Sequence, residues 1–157
     1  MLQAIIVDDE LIGINTLKVL IEKYTNDVNV ITTATEPELA IEAINNYKPD
    51  ILFLDINMPK MNAFELLEKL IFKEFKLVFT TAHKEFALKA IKNKAQDYLL
   101  KPIDIDELKN CINTINFDIK KTNKTQKNNY PNTIELTVKG SILFIKTAEI
   151  VSNYRMK

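Results

Sequence analysis

Residues 50–61 read DILFLDINMPKM. Four apolar residues, Ile51 to Leu54, run straight into a carboxylate, Asp55, and Pro59 follows closely. A short continuous apolar run is the pattern of a strand covered on both faces, as in a parallel sheet. A carboxylate at the end of such a strand is costly unless it has a partner or a reaction to perform.

The same pattern recurs on either side. AIIV (4–7) stops at Asp8, and Leu11, Ile14, Leu17, Leu20, Ile21 and Tyr24 then follow at helical spacing. VNVITTA (28–34) is rich in β-branched residues, which favour strands. Residues 36–47 return to helical spacing, with Pro37 near the start, where proline is tolerated. Beyond the central strand, 63–71 reads as a helix, 76–80 (KLVFT) as a strand, and Phe86 to Ile91 as a short helix. DYLL (97–100) reads as the fifth strand, and Ile105 to Ile119 as a long helix. Five β/α units imply a doubly wound, five-stranded parallel sheet, flavodoxin-like, of order 2-1-3-4-5.

Composition is consistent with this. The chain has 157 residues, enough for one domain and an appendage, and its 46% hydrophobic and 27% charged residues are ordinary for a globular protein. No apolar run is long enough to span a membrane, and no signal peptide is evident. The single cysteine, Cys111, sits in an apolar helical pattern. It reads as a core residue in a reducing, cytoplasmic setting.

Charge is segregated. Residues 1–118 hold 13 basic and 19 acidic residues, net −6, and residues 119–157 hold 8 and 2, net +6. The acidic part is a poor binder of phosphate backbones. Residues 119–132 are polar and read as a linker. Alternation from Ile134 to Ile145, interrupted by Gly140, reads as a β-hairpin, and residues 133–157 as the opening of a second domain.

The polar residues at the predicted strand ends carry the chemistry. Asp8 and Asp9 follow the first strand, Asp55 ends the third, Thr80 and Thr81 end the fourth, and Lys101 follows the fifth. In order 2-1-3-4-5 the switch point lies between strands 1 and 3, which gathers the three aspartates. Clustered carboxylates favour a hard divalent cation such as magnesium. A lysine and a threonine hydroxyl suit phosphoryl oxygens. The set therefore suits phosphoryl transfer to a carboxylate. Taken singly, each part has an ordinary structural reading: Asp-Asp as a helix cap, Lys101-Pro102 as a turn.

IIVDDE (5–10), ILFLDINMPKMNAFELL (51–67), VFTTA (78–82) and DYLLKP (97–102) together resemble the receiver domain of two-component response regulators, over residues 1–118. The resemblance implies that Asp55 accepts a phosphoryl group from a sensor histidine kinase. It implies that Asp8, Asp9, Asp55 and the backbone carbonyl of Asn57 hold Mg²⁺, and that Thr81 and Lys101 contact the phosphoryl oxygens. Lys101-Pro102 would be cis. Thr81 and Tyr98 would form a packing switch read out through a homodimer on the helix 4–strand 5–helix 5 face. Asn57 and His83 would tune the lifetime of the phosphoryl group. The family usually has glycine where this chain has Ala63; if that position needs positive φ, alanine strains the loop.

FTTAHKEFALKAI, DYLLKP and IELTVKGSILFIKTAEI resemble the LytTR class, in which a receiver is joined to an all-β DNA-binding domain. Residues 133–157 would be the incomplete beginning of that domain, so promoter DNA would be a partner only of the full-length protein. The implied role is control of transcription by a phosphoacceptor that is not a conventional enzyme, although it would assist its own phosphorylation and dephosphorylation. Two alternatives differ in class. One is a receiver used as a phosphorylation-independent binding module. The other is a phosphohydrolase of the haloacid dehalogenase type, which needs an acid at the position of Asn57.

Overall fold

The computed structural model describes residues 1–127, 133–138 and 141–146. Apolar runs and amphipathic segments alternate as β1 (Leu2–Val7), α1 (Leu11–Tyr24), β2 (Val28–Ala34), α2 (Pro37–Tyr47), β3 (Ile51–Asp55), α3 (Ala63–Lys69), β4 (Lys76–Thr81), α4 (Ala87–Lys92), β5 (Asp97–Leu100) and α5 (Ile105–Lys127). A single 3-10 turn, Lys84–Phe86, precedes α4. The first five strands form one parallel sheet of order 2-1-3-4-5 with helices between successive strands, the flavodoxin-like arrangement expected from the sequence.

The central strand explains the apolar run that drew attention first. Ile51, Leu52, Phe53 and Leu54 are all fully buried. Burying one such side chain contributes roughly 1.5–3 kcal/mol. One strand of this kind can therefore offset the several kcal/mol that a desolvated carboxylate at its end costs. Ile5, Val7, Leu54, Ile56, Leu66 and Phe79 belong to one core cluster, to which α2 adds Ala40 and Ile44. Ile14, Leu17 and Ile21 of α1 are buried as well. Register sets the site: Val7 lies opposite Leu54, Asp55 opposite Thr80, and Thr81 opposite Leu100. The residues that follow or end β1, β3, β4 and β5 therefore emerge along one edge.

The loop after β3 corrects an expectation. Ala63 does not need left-handed backbone. It opens α3, is fully buried, and its N–H donates to the Ile56 carbonyl at 3.1 Å. The residue at positive φ is Lys60, at 68°. A capping box then fixes the helix start: Asn62 Oδ1 accepts from Glu65 N–H, and Glu65 Oε2 accepts from Asn62 N–H, both at 3.0 Å.

Part of the polar stretch read as a linker is helical, because α5 continues to Lys127. Polarity there marks a solvated helix. No glycine or proline stands between Pro102 and Pro131 to stop it. Positions 128–132 of that stretch lie outside the described residues, as do 139–140 and 147–157. The chain divides into two compact units, Met1–Asn116 and Phe117–Lys157. In the second, β6 (Thr133–Val138) and β7 (Ser141–Lys146) pair antiparallel, with Val138 opposite Ser141. No described helix is long and apolar enough to cross a membrane.

Candidate functional site

At the edge where the strands emerge, Asp8, Asp9 and Asp55 each offer a carboxylate oxygen within 4.8 Å of the others. Asp8 and Asp55 are buried and Asp9 is half-buried. Lys101, brought in by β5, completes the pocket: its Nζ lies 2.6 Å from Asp8 Oδ2 and 3.6 Å from Asp55 Oδ2. The Lys101–Pro102 peptide is cis, as the resemblance implied. Thr81 is fully buried at the end of β4. Asp8, Asp9, Asp55 and Lys101 are thus brought together from three strand ends.

The loop backbone holds the acids in place. Asp8 Oδ1 accepts from Glu10 N–H at 2.9 Å, and the Asn57 N–H donates to the Asp55 carboxylate. Gly13, in the first turn of α1, was not singled out from the sequence. A Cβ there would stand 2.3 Å from Asp8 Oδ2, so the carboxylate packs directly on the glycine backbone. A glycine near a helix start carries no signal of its own until the Asp8 rotamer is known.

The electrostatics are those of an incompletely balanced cluster. Burial pushes the Asp55 carboxyl up to about 6; Asp8 and Asp9 push it the same way, while Lys101 and the Asn57 N–H work against them. Burial alone would lower Lys101. Its hydrogen bond to Asp8 and the charges of Asp55, Asp8 and Glu10 more than offset this and hold the ammonium above its usual range. Three carboxylates against one ammonium leave an anionic, all-oxygen pocket, a donor set suited to a hard divalent cation.

Thr81, His83 and Tyr98 form a second group joined through the backbone of His83. Thr81 Oγ1 accepts from His83 N–H at 3.2 Å. The Tyr98 hydroxyl donates to the His83 carbonyl. The His83 imidazole is turned to Glu85, with Nδ1 3.4 Å from Oε1, and meets the Phe86 ring edge-on. His83 therefore joins Thr81 and Tyr98 through its backbone rather than its ring. Asn57 is exposed beside Asp55.

The chain's relatives point to one family. The response regulator receiver domain matches residues 4–113. An uncharacterized response regulatory protein of Vibrio parahaemolyticus is 37% identical over 128 residues, covering 81% of this chain and 52% of its own length. Sensory transduction protein LytT of Bacillus subtilis is 34% identical over 160 residues, covering 96% of this chain and 64% of its own. The chain thus spans between half and two thirds of the length of these two relatives. Among solved structures, the response regulatory domain of Klebsiella pneumoniae mrkE superposes with a TM-score of 0.67 at 27% identity, over 76% of this chain and 98% of that one. The receiver domain of the response regulator AraT from Geobacillus stearothermophilus gives 0.69 at 26%, over 78% and 98%.

Proposed function

The chain belongs to the response regulator receiver family of two-component systems, and from that premise we propose that Asp55 is its phosphoacceptor. The observation that carries this reading is the convergence of Asp8, Asp9, Asp55 and Lys101 at the ends of three strands. An ionised Asp55 oxygen attacks the phosphorus of a phosphohistidine on a sensor kinase. The P–N bond breaks, its electron pair stays on the imidazole, which takes a proton from solvent, and an acyl phosphate remains on Asp55. Lys101 turns from Asp8 to a phosphoryl oxygen as a compact positive charge.

Asp8, Asp9, Asp55 and the Asn57 carbonyl would hold Mg²⁺, which when bound supplies positive charge for the phosphoryl oxygens. The Thr81 hydroxyl, now accepting from His83 N–H, donates instead to the phosphoryl group. That releases the His83 N–H, while Tyr98 holds the carbonyl of the same residue, and Tyr98 moves inward. Leu88 and Ile91 on α4 are exposed, which supports readout through a homodimer on the face of α4, β5 and the first part of α5. Asn57 and His83 at the rim set how long the acyl phosphate lasts, so His83→Ala should alter that lifetime.

The likeness to LytT and the strands after α5 support a LytTR-type output domain beginning at residue 133, through which the full-length protein controls transcription by binding promoter DNA. The test of the chemistry is intact-mass analysis after incubation with acetyl phosphate and Mg²⁺. One phosphoryl mass is expected on the wild type. It should be absent from Asp55→Ala and from a chelated sample. No adduct from either acetyl phosphate or a phosphorylated kinase would overturn the assignment.

A further inference from the structure

We propose that the groove between α3 and the turn after α4 binds a small amphipathic carboxylate, its apolar body on Phe64, Leu67, Phe75 and Leu77 and its carboxylate on Lys73 and Lys94. The groove encloses about 570 Å³ and is lined by these residues together with Glu68 and Asn93. That volume falls in the range of about 300–1,000 Å³ typical of small-molecule sites, which pair an apolar floor with a few polar groups. The floor is preformed. The Phe64 ring packs on Phe79 with centroids 5.4 Å apart, and Phe75 packs on Phe72 at 6.1 Å.

The rim supplies the sign of the ligand. Lys73 and Lys94 line the groove with one acid, Glu68, and the Lys89 ammonium stands 5.7 Å from the Phe64 centroid. This is a local reversal in a region, residues 1–118, whose net charge is −6. A cationic rim over an apolar floor selects an anion with an apolar body. Lys94 carries φ 56°, a backbone state in which glycine would be unstrained, and a lysine nevertheless lines the groove there. The walls favour a small ligand over a partner helix: the one helix that lines the groove, α3, has seven residues, too short a track for anchors repeating over two turns. The site is independent of the role assigned to Asp55.

Amide chemical shifts of the ¹⁵N-labelled full chain during titration with decanoate test this. Saturable shifts are expected at Phe64, Leu67, Leu77 and Lys94, with none from a decyltrimethylammonium ion of similar length. Lys73→Gln combined with Lys94→Gly should weaken binding about tenfold, since each rim lysine contributes one partly solvated ion pair. Both positions are exposed, and glycine suits the backbone at 94, so this variant keeps the fold. Absence of shifts in the groove, equal response to the cation, or affinity unchanged in the double variant would each overturn the proposal. If decanoate fails but an acidic amphipathic peptide shifts the same amides, the groove serves a macromolecular partner and the small-ligand assignment is wrong.

Discussion

The Lys101 ammonium is held closer to Asp8 than to Asp55: 2.6 Å to Asp8 Oδ2 against 3.6 Å to Asp55 Oδ2. Asp8 is one of the three carboxylates a cation would use, so Lys101 and the cation compete for it. Lys101→Ala should therefore raise Mg²⁺ affinity by roughly tenfold, the scale of one charge pair of 1–2 kcal/mol at a partly exposed site. The same substitution should slow phosphoryl transfer from acetyl phosphate. Calorimetric titration of the metal into wild type and variant reads the first effect, and equal affinities would mean that the pair does not compete.

Asp55 makes the site cost stability, and the sign is fixed by its titration. The carboxyl is raised from 3.8 to about 6 in the fold. The folded state therefore binds this proton more tightly than the unfolded chain. Its penalty is absent below pH 3.8, grows between about pH 4 and 6, and is complete above 6. Two pH units correspond to about 3 kcal/mol at most. Asp55→Asn should stabilise the metal-free protein by about 1–3 kcal/mol at pH 7.5 and hardly at all at pH 4. Urea melts at the two pH values check this. Mg²⁺ should narrow the gap by stabilising the wild type, in proportion to ln(1 + [Mg²⁺]/Kd).

The Tyr98 hydroxyl anchors the loop after β4 through the His83 carbonyl. Burial and then the charge of Glu85 raise the phenol above its usual range, so it remains a donor at any working pH. Tyr98→Phe keeps the ring and removes the donor. A loss of about 1 kcal/mol is expected, with faster amide hydrogen exchange at Lys84–Phe86. Unaltered exchange there would show that the hydroxyl does not restrain the loop.

Cys111 is buried in α5. Burial pushes its thiol well above the usual range, and the charge and hydrogen bond of Asp97 add to this. Iodoacetamide should leave the folded protein unmodified near pH 8 and alkylate it once urea unfolds it, because the thiolate is the reactive species. Alkylation of the folded protein at the unfolded rate would contradict the packing described.

Apolar runs and helical spacing made the sheet order legible, since a parallel strand buried on both faces cannot be polar in its interior. The strand ends were legible for the same reason: Asp8, Asp55 and Lys101 each interrupt or follow such a run. The second half of α5 was not. Residues 120–124 face solvent, and a helix without a buried face has no apolar period to read. The pairing of Lys101 with Asp8 and the packing of Asp8 on Gly13 depend on rotamers, which spacing does not encode.

Backbone sign in the loop after Asp55 separates two substitutions that look alike. Lys60 sits at φ 68°, where a residue with a Cβ costs roughly 1–2 kcal/mol. It also pairs with Glu36 Oε2 at 2.7 Å across exposed surface, where solvent screens the interaction. Lys60→Gly should therefore be neutral or stabilising by up to about 1 kcal/mol. Ala63 is fully buried at the first position of α3 with ordinary helical backbone. Ala63→Gly loses a buried methyl and adds unfolded-state freedom, so it should destabilise by about 1–2 kcal/mol. Thermal melts of the two variants beside wild type decide the matter. If Ala63→Gly were the stabilising change, the left-handed residue of this loop would have to be sought at 63.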